Sequence, residues 1–310
     1  MSLKVLGIGD NVCDKYLHTA VIYPGGNALN IAVFARELGQ ESAYLGTFGD
    51  DEVAFHVHDT VQSMGLDLSH CRYCIGENGC ARVHLVDGDR VFLPGNQGGI
   101  SKQFPPVLSK LDLAYCESFD LLHTSVYSYM EEELPKLETV KGYLSMDFSD
   151  HFEDEYFRKT CPYLDVASIS CGDMEREEVL QWMKNLLEFG CKHIVIATRG
   201  AKGAMVLVDG KLYEQSPCLI KAKDTMGAGD SFITAFLVTY LEGMKGDCSD
   251  FPASEHSVGL NKEEDYKNLL VQTSLYKAAK FSAEQCLRDG SFGYGKTVKL
   301  TEEDLQLIKK

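Results

Sequence analysis

The run Lys223-Asp224-Thr225-Met226-Gly227-Ala228-Gly229-Asp230-Ser231-Phe232 sets three small residues and an acid directly before the apolar stretch 233–241. Small residues let the backbone come close to a ligand, and the N–H groups of a helix start point outward without intrahelical partners. Those donors and the helix dipole attract an anion. Asp230 then stands as a base beside whatever the donors hold. Moving a phosphoryl group onto a hydroxyl requires this pairing: donors for the equatorial charge and a base for the hydroxyl proton. Taken alone, the segment reads equally as a Gly-rich turn with Asp230 as an ordinary N-terminal helix acid.

A second cluster, Tyr23-Pro24-Gly25-Gly26-Asn27-Ala28-Leu29-Asn30, also sits at a helix start. Gly25 and Gly26 permit close approach, while Asn27 and Asn30 carry amides that donate and accept at once, as sugar hydroxyls require. The plain alternative is a turn with Asn27 as helix cap. Gly9-Asp10-Asn11, with Asp14 behind it, follows the first apolar run. In open α/β sheets ligands bind in the crevice outside the C-terminal strand ends. Acidic side chains there suit a polyhydroxyl substrate. Thr198-Arg199-Gly200-Ala201-Lys202-Gly203 follows another strand-like run and suggests a loop beside nucleotide phosphates or ribose, although a simple βα turn explains it as well. The Walker pattern G-x-x-x-x-G-K-[ST] is absent. Cys71, Cys74 and Cys80 begin as C-x-x-C but lack a second pair, so packed cysteines are expected there rather than a zinc site.

The elements that must carry these clusters alternate in type. Residues 3–9, 43–47, 121–124, 143–147, 166–170 and 193–198 are short apolar runs, as strands covered on both faces should be. Between them, 28–38, 53–64, 153–161 and 175–189 read as helices, and 230–242 and 266–284 as two long closing helices. This order predicts an open parallel sheet with helices on both faces. Residues 12–22 and 80–93 break the rhythm with polar alternation, and Asp87-Gly88-Asp89 is a hairpin signal. A small β flap beside the main domain is expected. Residues 244–262 read as a loop between helices, since no apolar period runs through them.

The formal net charge of −16 gives no basic face for nucleic acid or anionic lipid. No stretch of about 18 apolar residues suggests a membrane span, and residues 1–9 read as a strand rather than a signal peptide. Eleven scattered cysteines fit reduced thiols, hence a cytoplasmic setting.

The four clusters follow the order and spacing of the ribokinase (PfkB) family. Gly25-Gly26-Asn27 with Asn30 resembles its early signature, and Asp224-Thr225-Met226-Gly227-Ala228-Gly229-Asp230 its late one. Asp10 to Asp14, Leu122 to Ser128, Asp147-Phe148-Ser149 and Gly290 to Gly295 look like the fructoselysine 6-kinase and fructosamine kinase branch. The resemblance runs from Val5 to about Gly295. It implies one ribokinase-like domain over 1–310, a doubly wound, mostly parallel α/β sheet flanked by helices, with a small β lid formed by 12–24 and 77–98. It implies Asp230 as general base, with the amides of Gly227, Ala228 and Gly229 as the anion hole. Asp10, Asn11, Asp14, Gly25, Gly26, Asn27 and Asn30 would bind the sugar. Thr198, Arg199, Gly200 and Gly203 would lie along ATP, and Asp224 and Thr225 beside the phosphates, near K+ if a monovalent cation binds.

Many members carry an Asn-x-x-Glu motif that organises Mg2+; here Ser170 to Glu177 lacks the Asn, leaving Glu175, or nearly as well Asp173, for the metal. The expected reaction is transfer from Mg-ATP to the 6-hydroxyl of a fructosamine such as fructoselysine, with Arg82 or Arg90 toward the carboxylate of the adduct. Another ketose, ribose or nucleoside kinase is the alternative within the class. A sugar- or nucleotide-binding regulator that has lost catalysis is the alternative outside it, although binding alone needs no base. A homodimer through the lid is the assembly the resemblance suggests.

Overall fold

Strands buried on both faces need helices above and below, and the chain supplies them in alternation. The computed structural model describes residues 2–86, 89–246 and 262–308, and the side chains of 85, 86, 89, 90 and 262 are excluded from the description. In chain order the elements are β1 (Lys4–Gly9), β2 (Val12–Tyr16), β3 (Val21–Gly25), α1 (Asn27–Glu37), β4 (Glu41–Phe48), α2 (Glu52–Ser63), β5 (Arg72–Tyr73), β6 (Gly79–Val86) and β7 (Asp89–Leu93). There follow α3 (Gly99–Gln103), α4 (Lys110–Cys116), β8 (Leu121–Ser125), α5 (Leu134–Leu137), β9 (Tyr143–Asp147), α6 (Asp154–Thr160), β10 (Val166–Ser170), α7 (Arg176–Glu188) and β11 (Ile194–Thr198). The chain continues through β12 (Ala204–Val208), β13 (Lys211–Gln215), α8 (Ala228–Lys245), α9 (Lys262–Gln285), β14 (Lys296–Thr297) and α10 (Glu302–Ile308).

The main sheet has the order β13-β12-β11-β10-β9-β8-β1-β4-β5. From β11 to β5 every neighbour is parallel, and β12 and β13 close that edge as an antiparallel hairpin. The hairpin itself was not read from the sequence, although a mostly parallel sheet was expected. Apolar residues of alternate parity feed two cores. Leu6, Ile8, Leu122 and Met146 face α5, α6 and α7, while Val5, Leu121, Val166 and Ile196 face α1, α8 and α9.

Order reverses at β1: the chain steps outward to β4 on one side and later fills β8 on the other. The strand ends therefore open a crevice between β1 and β8, where doubly wound sheets bind ligands. A second sheet, ordered β14-β3-β2-β6-β7, stands beside this crevice. It contains the two segments that broke the rhythm. The parallel pairing of β2 with β6 joins them, and β14, unexpected from sequence, adds an edge. Asp87 and Gly88, the expected turn, and nearly all of the expected loop 244–262 lie outside the described residues. Among the described residues no helix is long and apolar enough to cross a membrane.

Candidate active site

β1 ends at Gly9, and the next residue caps a helix that starts seventeen residues later. The Asp10 carboxylate accepts the backbone N–H of Asn27 at 2.6 Å and of Ala28 at 3.3 Å, so it serves as the N-cap that Gly26 cannot provide. Its Oδ1 also accepts the hydroxyls of Ser125 and Ser128, each at 2.7 Å. Gly26 has φ of 114°, and a Cβ there would lie 2.7 Å from Cα of Asn11. Only glycine lets the two chain segments meet this closely.

Capping by Asp10 leaves the first-turn amides of α1 free to face the crevice. Asn27 Nδ2 donates to Asp230 Oδ1 at 2.8 Å and to Asp147 Oδ2 at 2.7 Å, and Asn30 Nδ2 donates to Asp230 Oδ2 at 2.6 Å. The orientation of Asn27 is set from behind. Its Oδ1 lies 3.0 Å from Nε2 of His123, whose Nδ1 is 3.0 Å from the Ser145 hydroxyl. Burial pushes His123 down to about 3, so the ring is neutral, with Nε2–H donating to Asn27 and Nδ1 accepting from Ser145. Both amide hydrogens of Asn27 are thereby committed to the carboxylates. Asp230 is raised well above the ordinary carboxylate range, first by burial and then by the nearby Asp147, with the Asn30 hydrogen bond opposing. Asp147 is itself raised by burial, against the hydrogen bond from Ser168 at 2.9 Å. A carboxylate so placed is more basic than usual, which suits it to take a proton.

The loop before α8 is held by Asp224, which accepts the Tyr16 hydroxyl at 2.7 Å and the backbone N–H groups of Met226 and Gly290, each at 2.9 Å. Gly227 then turns left-handed at φ of 69°, where a Cβ would come within 2.9 Å of the Ser291 side chain. Two cavities meet at this loop. One, about 1180 Å³, is lined by Asp10, Asp14, Gly26, Asn27, Asn30, Asp147 and Asp230 and by residues of the second sheet and α3. The other, about 550 Å³, is lined by Thr198, Gly200, Gly203, Pro217, Leu219, Phe232 and Ala279. Ser170, Thr225, Ala228 and Gly229 border both. An acid in a polar chamber, a more apolar chamber and a shared glycine turn between them can pass a phosphoryl group from one to the other.

Several expected residues take other places. Asn11 is buried outside both cavities and fully engaged, donating to Tyr44 and Thr47 and accepting from Asn78, each at 2.9 Å. Gly25 and Asp224 also lie behind the cavity walls, and the N–H of Ala228 donates back to Thr225 at 3.2 Å. Arg199 has a buried Nε with no hydrogen-bond partner between cavity-lining Thr198 and Gly200. Glu175 is exposed at the start of α7 and lines neither cavity. Arg82 is occupied by Asp304 and Glu303, each at 2.9 Å, and the Arg90 side chain lies outside the described residues. Burial raises Cys71 to about 12 and Cys80 to about 11, so neither offers a thiolate.

Sequence reasoning gave no role to His123, Ser145, Asp147 or Ser291, although all but Ser145 stand in runs that resembled the family. Asp147 carried a readable signal, an acid at the end of an apolar strand. His123 was marked only by the resemblance of its run, because nothing in its neighbours forecasts an amide across the sheet.

The sequence model of the family described as "pfkB family carbohydrate kinase" matches residues 2–249. Fructosamine kinase FrlD of Bacillus subtilis (strain 168) is 36% identical over 301 residues, covering 97% of this chain and 96% of that one. Fructoselysine 6-kinase of Escherichia coli (strain K12) is 31% identical over 237 residues, covering 76% and 89%. Among solved structures, Arabidopsis thaliana ribokinase complexed with ribose and ATP superposes with a TM-score of 0.71 at 19% identity, over 100% of both chains. Aminoimidazole riboside kinase from Salmonella enterica gives 0.69 at 18%, over 98% and 99%. At these identities the structural likeness speaks to the fold, which is ribokinase-like.

Proposed function

The chain belongs to the pfkB family of carbohydrate kinases, and from that premise we propose that it transfers the γ-phosphoryl group of ATP to the 6-hydroxyl of fructoselysine or a related fructosamine. The observation that carries the reading is Asp230, half-buried, held by two amides and set where the polar chamber meets the glycine turn. Similarity to a fructosamine kinase and a fructoselysine 6-kinase supports the choice of sugar.

The sugar occupies the larger chamber, where Asn30 keeps a buried Oδ1 without a partner that can accept a hydroxyl. Asp14 and the Asn27 amide complete the polar wall, while Asp10 acts mainly by holding α1 in place. The reacting hydroxyl gives its proton to Asp230 as its oxygen bonds to the γ-phosphorus. The bond from that phosphorus to the β–γ bridging oxygen breaks, and ADP leaves through the apolar chamber. N–H groups at the start of α8, those of Gly227 and Gly229 foremost, meet the equatorial charge. Thr198, Gly200 and Gly203 border the nucleotide, with Arg199 next to them in the chain.

Among the described residues no group of three or more metal-binding side chains is gathered. Mg2+ would accordingly be held through ATP phosphates and water, as this ion commonly is, with Glu175 at most an outer partner. K+ near the Asp224 loop and pairing of two copies through the second sheet belong to the same proposal, as does a cytoplasmic setting.

The test is kcat/KM for fructoselysine, fructose, ribose and a nucleoside under identical Mg-ATP. Fructoselysine should exceed fructose by a factor on the order of 10², the scale of one or two charge-assisted hydrogen bonds. Equal or faster turnover of fructose or ribose would overturn the fructosamine assignment, and no turnover of any sugar would overturn the catalytic one.

A further inference from the structure

The larger chamber, at about 1180 Å³, exceeds the usual range of a small-ligand site, and a hexose leaves much of it unfilled. Beyond the acids around Asp230, its wall contains one cation among the described residues, Lys102 of α3. No carboxylate of the described residues pairs with Lys102. Its ammonium instead lies over the Tyr129 ring, 5.3 Å from the centroid. Tyr129 holds a left-handed backbone at φ of 55°, which a bulky side chain rarely adopts. Backbone strain of this kind collects where a side chain is needed in a set position. The Tyr127 ring lines the same wall, as does Glu77, whose carbonyl accepts the N–H of Ile100 at 2.8 Å and so sits against the start of α3. Arg82, one of the two cations expected to meet a carboxylate, is already neutralised by Asp304 and Glu303.

We infer that Lys102, Tyr127, Tyr129 and Glu77 form the subsite for the amino-acid end of the adduct and set the preference for a zwitterion. Lys102 takes the α-carboxylate, Glu77 takes the α-ammonium, and the two rings flank the aliphatic chain. This inference rests on the fructosamine reading.

Its test compares three adducts of the same sugar: lysine, 1,5-diaminopentane (which lacks the carboxylate) and 6-aminohexanoate (which lacks the α-amino group). In the wild type the lysine adduct should have the highest kcat/KM. Lys102→Ala should cut the lysine-to-diaminopentane ratio by about tenfold, the scale of one charge-assisted contact, and Lys102→Glu should bring it below one. Glu77→Gln should lower the lysine-to-aminohexanoate ratio in the same way. These ratios are independent of the fraction of active protein, so partial misfolding cannot imitate the effect. Ratios unchanged in both Lys102 variants, or a wild type indifferent among the adducts, overturn the subsite and leave the fructosamine reading standing. A wild type that phosphorylates ribose or fructose but no adduct overturns both.

Discussion

A carboxylate withdrawn from water and set near a second carboxylate holds its proton more tightly than one in solution, and Asp230 is in that position beside Asp147. Asp230→Asn keeps the volume but cannot accept the hydroxyl proton. We predict a fall in kcat of roughly 10²–10⁴, the usual worth of general base catalysis; a variant keeping more than about a tenth of wild-type kcat excludes Asp230 as the essential base. The same carboxylate leaves a mark on stability. Its folded pKa is raised above the unfolded value near 4, so the folded state binds the proton more tightly. Its contribution is fully present below about pH 4 and is lost as pH rises through the raised folded value. The Tm of Asp230→Asn relative to wild type should therefore climb between pH 4 and pH 8. A difference that does not vary with pH would contradict a proton-retaining Asp230.

Elements place these residues through their ends. α1 begins where a strand-end carboxylate can cap it, and α8 begins where a left-handed glycine turns the chain. Asp10→Ala removes two helix-capping bonds and leaves the buried hydroxyls of Ser125 and Ser128 without their acceptor. A loss of about 2–4 kcal/mol of unfolding free energy is expected, from a cap near 1 kcal/mol and unsatisfied groups of about 1–3. Urea denaturation measures it. A residue used only to touch sugar would raise KM and leave the urea midpoint in place. Gly227→Ala forces a side chain into the left-handed region and against Ser291, so kcat should drop as the turn shifts. Wild-type kcat in that variant would show that the turn need not hold this conformation.

At the scale of the molecule, α10 clasps two neighbouring strands of the second sheet, β2 and β6. Asp304 is buried and pairs with both Lys15 and Arg82, whose side chains are each 13% exposed. Burial alone would raise its pKa, but hydrogen bonds from Lys15, Thr301 and Arg82 bring it down to about 2. That stability is present above the unfolded pKa near 4 and lost as pH falls toward 2. Asp304→Ala leaves two half-buried cations without their shared partner. It should cost about 3–5 kcal/mol at neutral pH, read by chemical denaturation; a cost under about 1 kcal/mol would mean the sheet is held by other contacts. Removing the β6–β7 hairpin tests the lid itself. An enclosing sheet excludes water from the reacting phosphate, so its loss should raise the sugar KM and the ratio of ATP hydrolysis to transfer. Unchanged values for both would show that the sheet is not a lid.

Local chemistry made the strands, the helices and the late glycine-acid turn legible, because strand burial, helix periodicity and close backbone approach each leave a mark on consecutive residues. The sequence by itself therefore determined a layered α/β kinase fold and the glycine turn on which Asp230 stands. It missed the β12–β13 hairpin, whose strands lie at a sheet edge, and α10, whose one buried acid answers cations 222 and 289 positions away. It assigned Asn11 and Asp224 to ligands because their types and neighbours suit ligands. Tertiary structure decided otherwise, since both side chains are used up by partners that only the folded chain brings near, Tyr44 and Asn78 for one and Tyr16 and Gly290 for the other. Lys102 reached the cavity wall in the same way. A polar side chain's role depends on which groups compete for it, and that competition exists only once distant segments have packed.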